Sequence, residues 1–213
     1  MSPAEKIGQI LPVLEARYGA ATTELHYRNP YELTVAVVLS AQCTDVRVNQ
    51  TTPAFFERFP DFETLARAMP EEVYSYIKSI SYPNSKSHRL IQLARTVVSE
   101  YQGQLPRDPN LLQKLPGIGR KSANVIASIL WEAPVIAVDT HVFRVSRRLG
   151  LAKGKTPEKV EEELSQIIPP AYLARAHHWL ILFGRYHCTA RKPLCNACPF
   201  VDLCDYYQAY KNK

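Results

Sequence analysis

The segment Leu115-Pro116-Gly117-Ile118-Gly119-Arg120-Lys121 joins two stretches that carry apolar residues at helical spacing. Two glycines around one isoleucine permit a tight turn whose backbone N–H groups face outward. We expect a helix to begin near Lys121, and its positive dipole end would favour an anion beside those N–H groups. The segment therefore predicts a turn between two helices that binds a phosphate, with a plain interhelical turn as the alternative.

Helical spacing of apolar residues recurs along nearly the whole chain, whereas strand-like alternation is scarce. Clear instances of the helical pattern are Leu33, Ala36 and Val37 and, later, Val160, Leu164 and Ile167. The dipeptides Asp108-Pro109 and Thr156-Pro157 each supply an N-cap side chain followed by proline at the first helical position. The sequence predicts an all-α protein of about ten helices.

Positive charge is unevenly distributed along the 213 residues. Lysine and arginine number 26 against 20 acidic residues, and the stretches 140–157 and 184–193 contain basic residues but no acid. Clustered positive charge predicts a polyanionic partner, and a solvated basic surface is the alternative. No apolar run approaches the ~20 residues of a membrane span, and no apolar N-terminal signal is visible. We expect no membrane partner and a cytoplasmic location.

Four of the five cysteines are crowded near the C-terminus as Cys188-x6-Cys195-x2-Cys198-x5-Cys204. Thiolates at such short separations can share one inorganic centre, because iron–sulfur clusters and structural zinc both accept four sulfur ligands. Disulfides and unrelated core thiols are the alternatives, and a reducing location disfavours the former. Zinc usually takes two short C-x2-4-C pairs, so this spacing favours a [4Fe–4S] cluster. The fifth cysteine, Cys43, is predicted to be a buried thiol.

Lys121 and Asp139 are predicted to meet. A helix from Ser122 to Trp131 would cover about 15 Å, and the extended return 135–138 would cover about the same distance in the opposite direction. A lysine at a helix start, partly removed from water, would be an amine nucleophile, and an adjacent carboxylate could hold a proton or stabilise a cation. The alternatives are a solvated charge for Lys121 and, for Asp139, an N-cap of a helix over 140–149, which is compatible with catalysis.

Five motifs in order along the chain resemble those of the endonuclease III family, in the helix–hairpin–helix DNA glycosylase superfamily. They are Leu-Pro-Gly-Ile-Gly-Arg-Lys-Ser-Ala-Asn at 115–124, Val-Asp-Thr-His-Val-Phe-Arg-Val at 138–145, His-His-Trp-Leu-Ile at 177–181, Gly-Arg-Tyr at 184–186 and the cysteine spacing. The resemblance implies a bilobal all-α fold with a DNA cleft between its lobes. One lobe would be a helical barrel, 21–132, with the helix–hairpin–helix at about 108–131. The other would comprise 1–20 and 133–213 and end in the cluster loop, 188–204.

The resemblance also implies a reaction: base-excision repair by a bifunctional DNA glycosylase and abasic-site lyase. Lys121 would attack the sugar of an oxidised pyrimidine nucleotide flipped out of duplex DNA, form a Schiff base and cut the strand 3′ to the lesion by β-elimination. Asp139 would activate the lysine and stabilise positive charge on the sugar. No nucleotide cofactor is expected, and the protein would act as a monomer associated with the nucleoid.

The resemblance also assigns roles to individual residues. Cys188, Cys195, Cys198 and Cys204 would hold the [4Fe–4S] cluster, which would shape a loop that presents Arg191 and Lys192 to phosphates. Gln42 would fill the space left by the flipped nucleotide, with a plain helix-end glutamine as the alternative. Tyr82, which stands where the family usually has leucine, would fill it from a second loop. Remaining DNA contacts would come from Gly117, Gly119, Arg120, Thr140, His141 and Arg144, with a structural histidine as the alternative for His141.

Three other functions share part of this pattern. An adenine glycosylase of the mismatch-repair type shares the cysteine loop and the aspartate, but such relatives generally lack the lysine and carry a further C-terminal domain, whereas this chain ends nine residues after Cys204. A thymine–mismatch glycosylase is disfavoured by the same lysine. A non-catalytic DNA-binding module would need neither Lys121 nor Asp139.

Overall fold

The computed structural model describes the backbone of residues 1–211 and the side chains of residues 1–209. This part of the chain contains no strand, which confirms the predicted all-α class. Its helices are α1 (Pro3–Tyr18), α2 (Pro30–Ser40), α3 (Asp45–Arg58), α4 (Phe62–Ala66), α5 (Pro70–Ile77), α6 (Pro83–Tyr101), α7 (Pro109–Leu112), α8 (Arg120–Trp131), α9 (Thr140–Leu149), α10 (Pro157–Ile167), α11 (Pro170–Tyr186) and α12 (Asp205–Lys211), with 3-10 turns at Cys195–Ala197 and Val201–Leu203. The number of helices in this part of the chain exceeds the predicted ten. Helices α4 and α7, of five and four residues, are too short to show an apolar period in the sequence.

Helix starts are fixed by local chemistry. The Asp108 carboxylate accepts a hydrogen bond from the Asn110 N–H at 2.8 Å, and the Thr156 hydroxyl accepts one from the Lys159 N–H at 3.3 Å. Proline follows both caps at the first helical position, where its missing N–H leaves no hydrogen bond unmade. Both predicted helix starts are confirmed.

The chain divides into two compact units, one of which is Glu24–Trp131. Its helix α2 is buried on all sides from Tyr31 to Leu39, which explains the long apolar run there. Aromatic rings pack edge-on around its first turn, with Tyr31 and Phe62 centroids 4.8 Å apart. The Tyr31 hydroxyl donates to the Phe59 carbonyl at 2.7 Å, so its one polar atom is satisfied inside this cluster. Helix α8 packs against α2 and α7.

The other unit combines Met1–Thr23 with the chain from Glu132 onward. Its core is apolar and helical, with members Ile7, Ile10, Leu14, Val142, Val145, Leu149, Leu164, Trp179, Phe183 and Phe200. The Trp179 indole N–H donates to the Gly19 carbonyl at 2.9 Å and so ties the end of α1 to α11. The buried Lys6 ammonium donates to the Leu149 carbonyl at 3.0 Å and pairs with the Asp205 carboxylate. These contacts bring the N-terminal helix, α9 and α12 together.

Across residues 1–211, none of the helices is both long enough and apolar enough to pass through a lipid bilayer.

Candidate functional site

The two glycines of the turn before α8 differ in backbone conformation. Gly117 lies at φ +81°, in the left-handed region, and an added Cβ there would be 3.3 Å from the Arg89 Cβ. Gly119 is not in that region, and a Cβ would meet no atom of the described chain within 4 Å. Ile118 is buried between them and anchors the turn. The fold therefore explains the first glycine but not the second.

Lys121 lies in the first turn of α8, directly after this turn, and its side chain is exposed. The sequence led us to expect a lysine partly removed from water, and in this respect the expectation was wrong. The position at the positive end of a helix remains as predicted.

Asp139 caps α9. Its Oδ1 accepts hydrogen bonds from the backbone N–H groups of His141 and Val142, both at 2.8 Å. Both bonds use the same oxygen, so the cap leaves Oδ2 for another partner. In the preceding segment 135–138, which was predicted to be buried, residues 136–138 are buried and Val135 is half-buried, and the segment forms no helix. His177 holds this segment, because its Nδ1 donates to the Ala137 carbonyl at 2.8 Å.

Gln42 and Tyr82, the predicted space-filling residues, share an unusual backbone. Both are exposed, and both are in the left-handed region, with φ of 56° and 57°. Residues other than glycine rarely adopt this backbone conformation. Where they do, the backbone strain often marks a functional site. The neighbouring Cys43 is only half-buried, so its prediction as a buried thiol was wrong: it follows the end of α2, where the chain reaches the surface.

Arg144 is more enclosed than a simple phosphate-binding residue. Its guanidinium donates to the Gly184 carbonyl at 2.8 Å and to the Cys188 carbonyl at 3.2 Å, and it lies 3.2 Å from His141 Nδ1. A Cβ on Gly184 would be 2.9 Å from the His141 Cβ, so this glycine permits the close approach of α11 to α9. Arg144 therefore links α9 to the start of the cysteine loop. The half-buried His141 and the exposed Thr140 lie in the first turn of the same helix.

All four C-terminal cysteines line one apolar pocket. In residues 1–211 no group of three or more His, Cys, Asp or Glu side chains is arranged to hold a single metal ion. Sulfur atoms around a common pocket suit a cluster, whose iron atoms each take one thiolate, better than one zinc ion. His187 lines the same pocket, and its buried Nε2 has no hydrogen-bond partner in the described chain. The pocket therefore fits a [4Fe–4S] cluster, to which this nitrogen could donate.

The thiols of the pocket need a positive partner to ionise. Burial raises the pKa of the Cys198 thiol and that of the Cys204 thiol above the ordinary value for cysteine. Arg148 supplies one positive group, since its Nη1 lies 3.5 Å from Cys188 Sγ. A bound cluster would supply the remaining charge. In the loop between the first two cysteines, Arg191 and Lys192 are exposed, as a phosphate-binding loop requires.

Several residues of the site were not found in the sequence. Arg148 was counted only as part of a basic stretch, and His177 only as part of a motif. Lys86 belongs to none of the motifs, yet its buried ammonium donates to two carbonyls at the end of α2. Each of these side chains bonds to backbone carbonyls about 40 residues away. No local pattern in the sequence marks such contacts.

Comparison with known proteins agrees with this geometry. Residues 35–170 match the model of the HhH-GPD superfamily of base excision DNA repair proteins, and residues 188–204 match the iron–sulfur binding domain of endonuclease III. The endonuclease III of Rickettsia conorii is 48% identical over 96% of this chain and 97% of its own length. That of Escherichia coli is 43% identical over 97% of both chains. A solved structure of a trapped endonuclease III–DNA covalent intermediate, an estranged-adenine complex, superimposes with a TM-score of 0.93 at 40% identity, covering 99% of this chain and 100% of the other.

The helical fold and the glycine turn thus define the class, that of HhH-GPD base excision DNA repair proteins. Within that class the match continues through the cysteine loop and over nearly the full chain. The chain belongs to the endonuclease III family. Its activity is that of a DNA glycosylase and abasic-site lyase, and its cofactor is a [4Fe–4S] cluster. A non-catalytic binding module is excluded, and the family match favours endonuclease III over the adenine and thymine–mismatch glycosylases.

Proposed function

We propose that this chain removes oxidised or ring-saturated pyrimidines from double-stranded DNA, with Lys121 as nucleophile and Asp139 as its acid–base partner. The observation that carries the proposal is the position of Lys121. It is an exposed amine in the first turn of a helix, directly after a glycine turn suited to phosphate. A sugar whose phosphate rests on that turn would be within reach of the amine.

Lys121 acts by covalent catalysis. Its Nζ forms a bond to the deoxyribose C1′ as the bond from C1′ to the base breaks, and the base leaves with the bonding electrons and takes up a proton. Opening of the sugar ring produces a Schiff base between Nζ and C1′. Loss of a C2′ proton then breaks the bond between C3′ and its oxygen, which cuts the strand 3′ to the lesion. The relative trapped as a covalent intermediate with DNA supports this route.

Asp139 serves both the fold and the reaction. Its Oδ1 is committed to the cap of α9, which fixes the orientation of the carboxylate. Its Oδ2 can take the proton of the lysine or face positive charge on the sugar. A carboxylate fixed in advance needs no reorganisation when that charge develops.

DNA is held mainly through its phosphates. Gly117, Gly119 and Arg120 at the turn bind one phosphate, while Thr140 and His141 at the start of α9 bind another. Arg191 and Lys192 contact the duplex from the loop that the cluster shapes. The network around Arg144 favours a supporting role there over direct contact. The exposed Gln42 and Tyr82 fill the duplex after the nucleotide leaves it, and the ring of Tyr82 stacks on a neighbouring base.

The chemistry needs no nucleotide cofactor, because elimination supplies the driving force for strand cleavage. The protein acts as a monomer in the cytoplasm, in association with the nucleoid. Each chain carries one catalytic lysine and one aspartate that caps α9, and these two residues suffice for the reaction. Sedimentation of the protein on a lesion-bearing duplex is expected to give a 1:1 complex.

Borohydride trapping tests the proposal. Purified protein with its cluster intact is incubated with a duplex that carries one thymine glycol, reduced, and the adduct is mapped by peptide sequencing. We expect the adduct at Lys121 and none with Lys121→Gln, whereas Lys114→Gln, an exposed lysine just before the glycine turn, retains it. An adduct at another residue, or none in a preparation that binds DNA, would overturn the assignment.

A further inference from the structure

One buried ammonium connects the two loops that carry Gln42 and Tyr82. Lys86 lies in the first turn of α6 and is only 5% exposed. Its Nζ donates to the carbonyls of Leu39 at 2.8 Å and Ala41 at 2.7 Å, and Ala41 immediately precedes Gln42. Its backbone N–H donates to the Tyr82 carbonyl at 3.1 Å. The same residue is therefore bonded to both loops.

These bonds act where the backbone is strained. Gln42 and Tyr82 are both in the left-handed region, which persists only where surrounding contacts determine the conformation. The last turn of α2 contains no basic residue. The Val38 and Ser40 carbonyls accept hydrogen bonds from the backbone N–H groups of Ala41 and Cys43, whereas the Leu39 and Ala41 carbonyls accept theirs from Lys86. Lys86 supplies these donors from another helix and fixes the backbone next to Gln42. On the other side, its backbone bond closes the turn that begins at Tyr82.

Burying the Lys86 ammonium between α6 and the end of α2 costs desolvation free energy. Burial lowers the pKa of Lys86 below its ordinary value, because the ammonium has left water. A methionine of similar length would fill the same volume without that desolvation. What methionine cannot do is bond the two carbonyls at the end of α2. Lys86 therefore supplies two hydrogen bonds at the end of α2 that an apolar side chain of the same size would not make.

We propose that Lys86 is a positioning residue that sets Gln42 and Tyr82 at a fixed separation, so that both enter the duplex together when a nucleotide is extruded. This inference rests on the proposed function of the two side chains. It predicts a defect in the extrusion step alone. The covalent chemistry at Lys121 would proceed normally on a sugar that needs no extrusion.

Two substrates distinguish nucleotide extrusion from the covalent chemistry. The first is a duplex with an abasic site opposite 2-aminopurine, whose fluorescence reports whether the orphan base is unstacked. The second is a single strand with an abasic site, in which the sugar is already accessible. For Lys86→Met we expect strand cleavage on the duplex to fall at least tenfold and the fluorescence change to be lost. Cleavage of the single strand should stay within about twofold of the parent protein.

A matched control accounts for stability. Val73→Ala removes buried volume from α5 of the same unit at a position outside both loops, and it should slow cleavage of the two substrates equally, if at all. Should Lys86→Met fail to fold, Lys86→Gln keeps amide donors on a shorter side chain and is judged by the same criteria. Equal losses on duplex and single strand, or an unchanged fluorescence signal, would overturn the inference. Failure of the parent protein to form any borohydride adduct would instead overturn the proposed function.

Discussion

Arg148 Nη1 lies 3.5 Å from the Sγ of Cys188, and the same guanidinium donates to the carbonyls of Thr189 at 2.7 Å and Ala190 at 2.9 Å. Its plane also lies over the ring of Tyr206, with the central carbon 4.5 Å from the ring centroid. The Cys204 Sγ lies 3.2 Å from the Arg148 carbonyl oxygen. One arginine of α9 thus holds both ends of the cysteine loop.

Loss of this arginine should weaken the hold on the cluster. Hydrogen bonds to a charged group contribute about 1.5–3 kcal/mol each, so Arg148→Gln should raise the rate at which a chelator removes iron severalfold. Visible absorbance of the cluster and released iron measure this rate. Arg147→Gln is the control, because Arg147 is exposed and lies over the ring of Phe143 instead. Equal rates for both variants would contradict the interpretation.

The two roles of Asp139 can be separated by substitution. Asn is as good an N-cap as Asp, so Asp139→Asn should leave the free energy of unfolding within about 0.5 kcal/mol of the parent. Asp139→Ala removes both bonds to α9 and should cost about 1 kcal/mol. Both variants should lose at least about 100-fold in single-turnover cleavage, because neither has a carboxylate. Thermal unfolding and cleavage rates measure these effects, and an active Asp139→Asn would rule out an essential charge.

The two glycines of the turn before α8 should behave differently. Gly117→Ala places a side chain at φ +81° and 3.3 Å from the Arg89 Cβ, which should destabilise the fold by about 1–2 kcal/mol. Gly119→Ala meets no atom of the described chain within 4 Å, so stability should change by less than about 0.5 kcal/mol. Affinity for a duplex with an abasic analogue should nevertheless fall, because our proposal places a phosphate against this backbone. Unchanged affinity for Gly119→Ala would argue against phosphate binding at the turn.

Tyr31 should make the fold sensitive to alkali. Burial, aided by the charges of Asp61 and Glu32, raises the pKa of its hydroxyl far above its ordinary value. The folded state therefore retains a proton that the unfolded state loses above about pH 10, and stability from this group should decline as pH rises past that value. Tyr31→Phe should lower stability by about 1 kcal/mol at neutral pH through the lost bond to Phe59.

The measurement for Tyr31 is the free energy of unfolding in urea between neutral pH and pH 11. The parent protein should lose stability over the alkaline part of this range more steeply than Tyr31→Phe. Tyr74→Phe is the control, because Tyr74 is partly exposed on α5 of the same unit. Lys86 has the opposite effect on the pH dependence of stability. Because its pKa is lowered in the folded state, the unfolded state binds the extra proton, and the contribution of Lys86 to the free energy of unfolding rises with pH. Parallel curves for the parent and Tyr31→Phe would contradict the assignment.

Where a feature depends on neighbours in the sequence, the sequence alone was sufficient. The starts of α7 and α10 at Asp108 and Thr156, and the bounds of the helix capped by Asp139, follow from side chains within three residues of the backbone groups they bind. The iron–sulfur centre could likewise be predicted from the sequence, because its cysteines lie within 17 residues of one another and their spacing is set by the cluster. The family and its reaction followed from these local motifs taken in order.

Only the tertiary structure decided how the charged side chains are used. Arg148 and Arg144 were part of a basic stretch in the sequence, yet their donors bond to backbone carbonyls about 40 residues away. Lys86 is buried beneath the end of α2, 47 residues from the Leu39 carbonyl, while Lys121 is exposed against expectation. The type of a basic residue does not reveal whether a carbonyl or water will satisfy its donors. That depends on which helix ends pack together, and packing is a property of the whole fold.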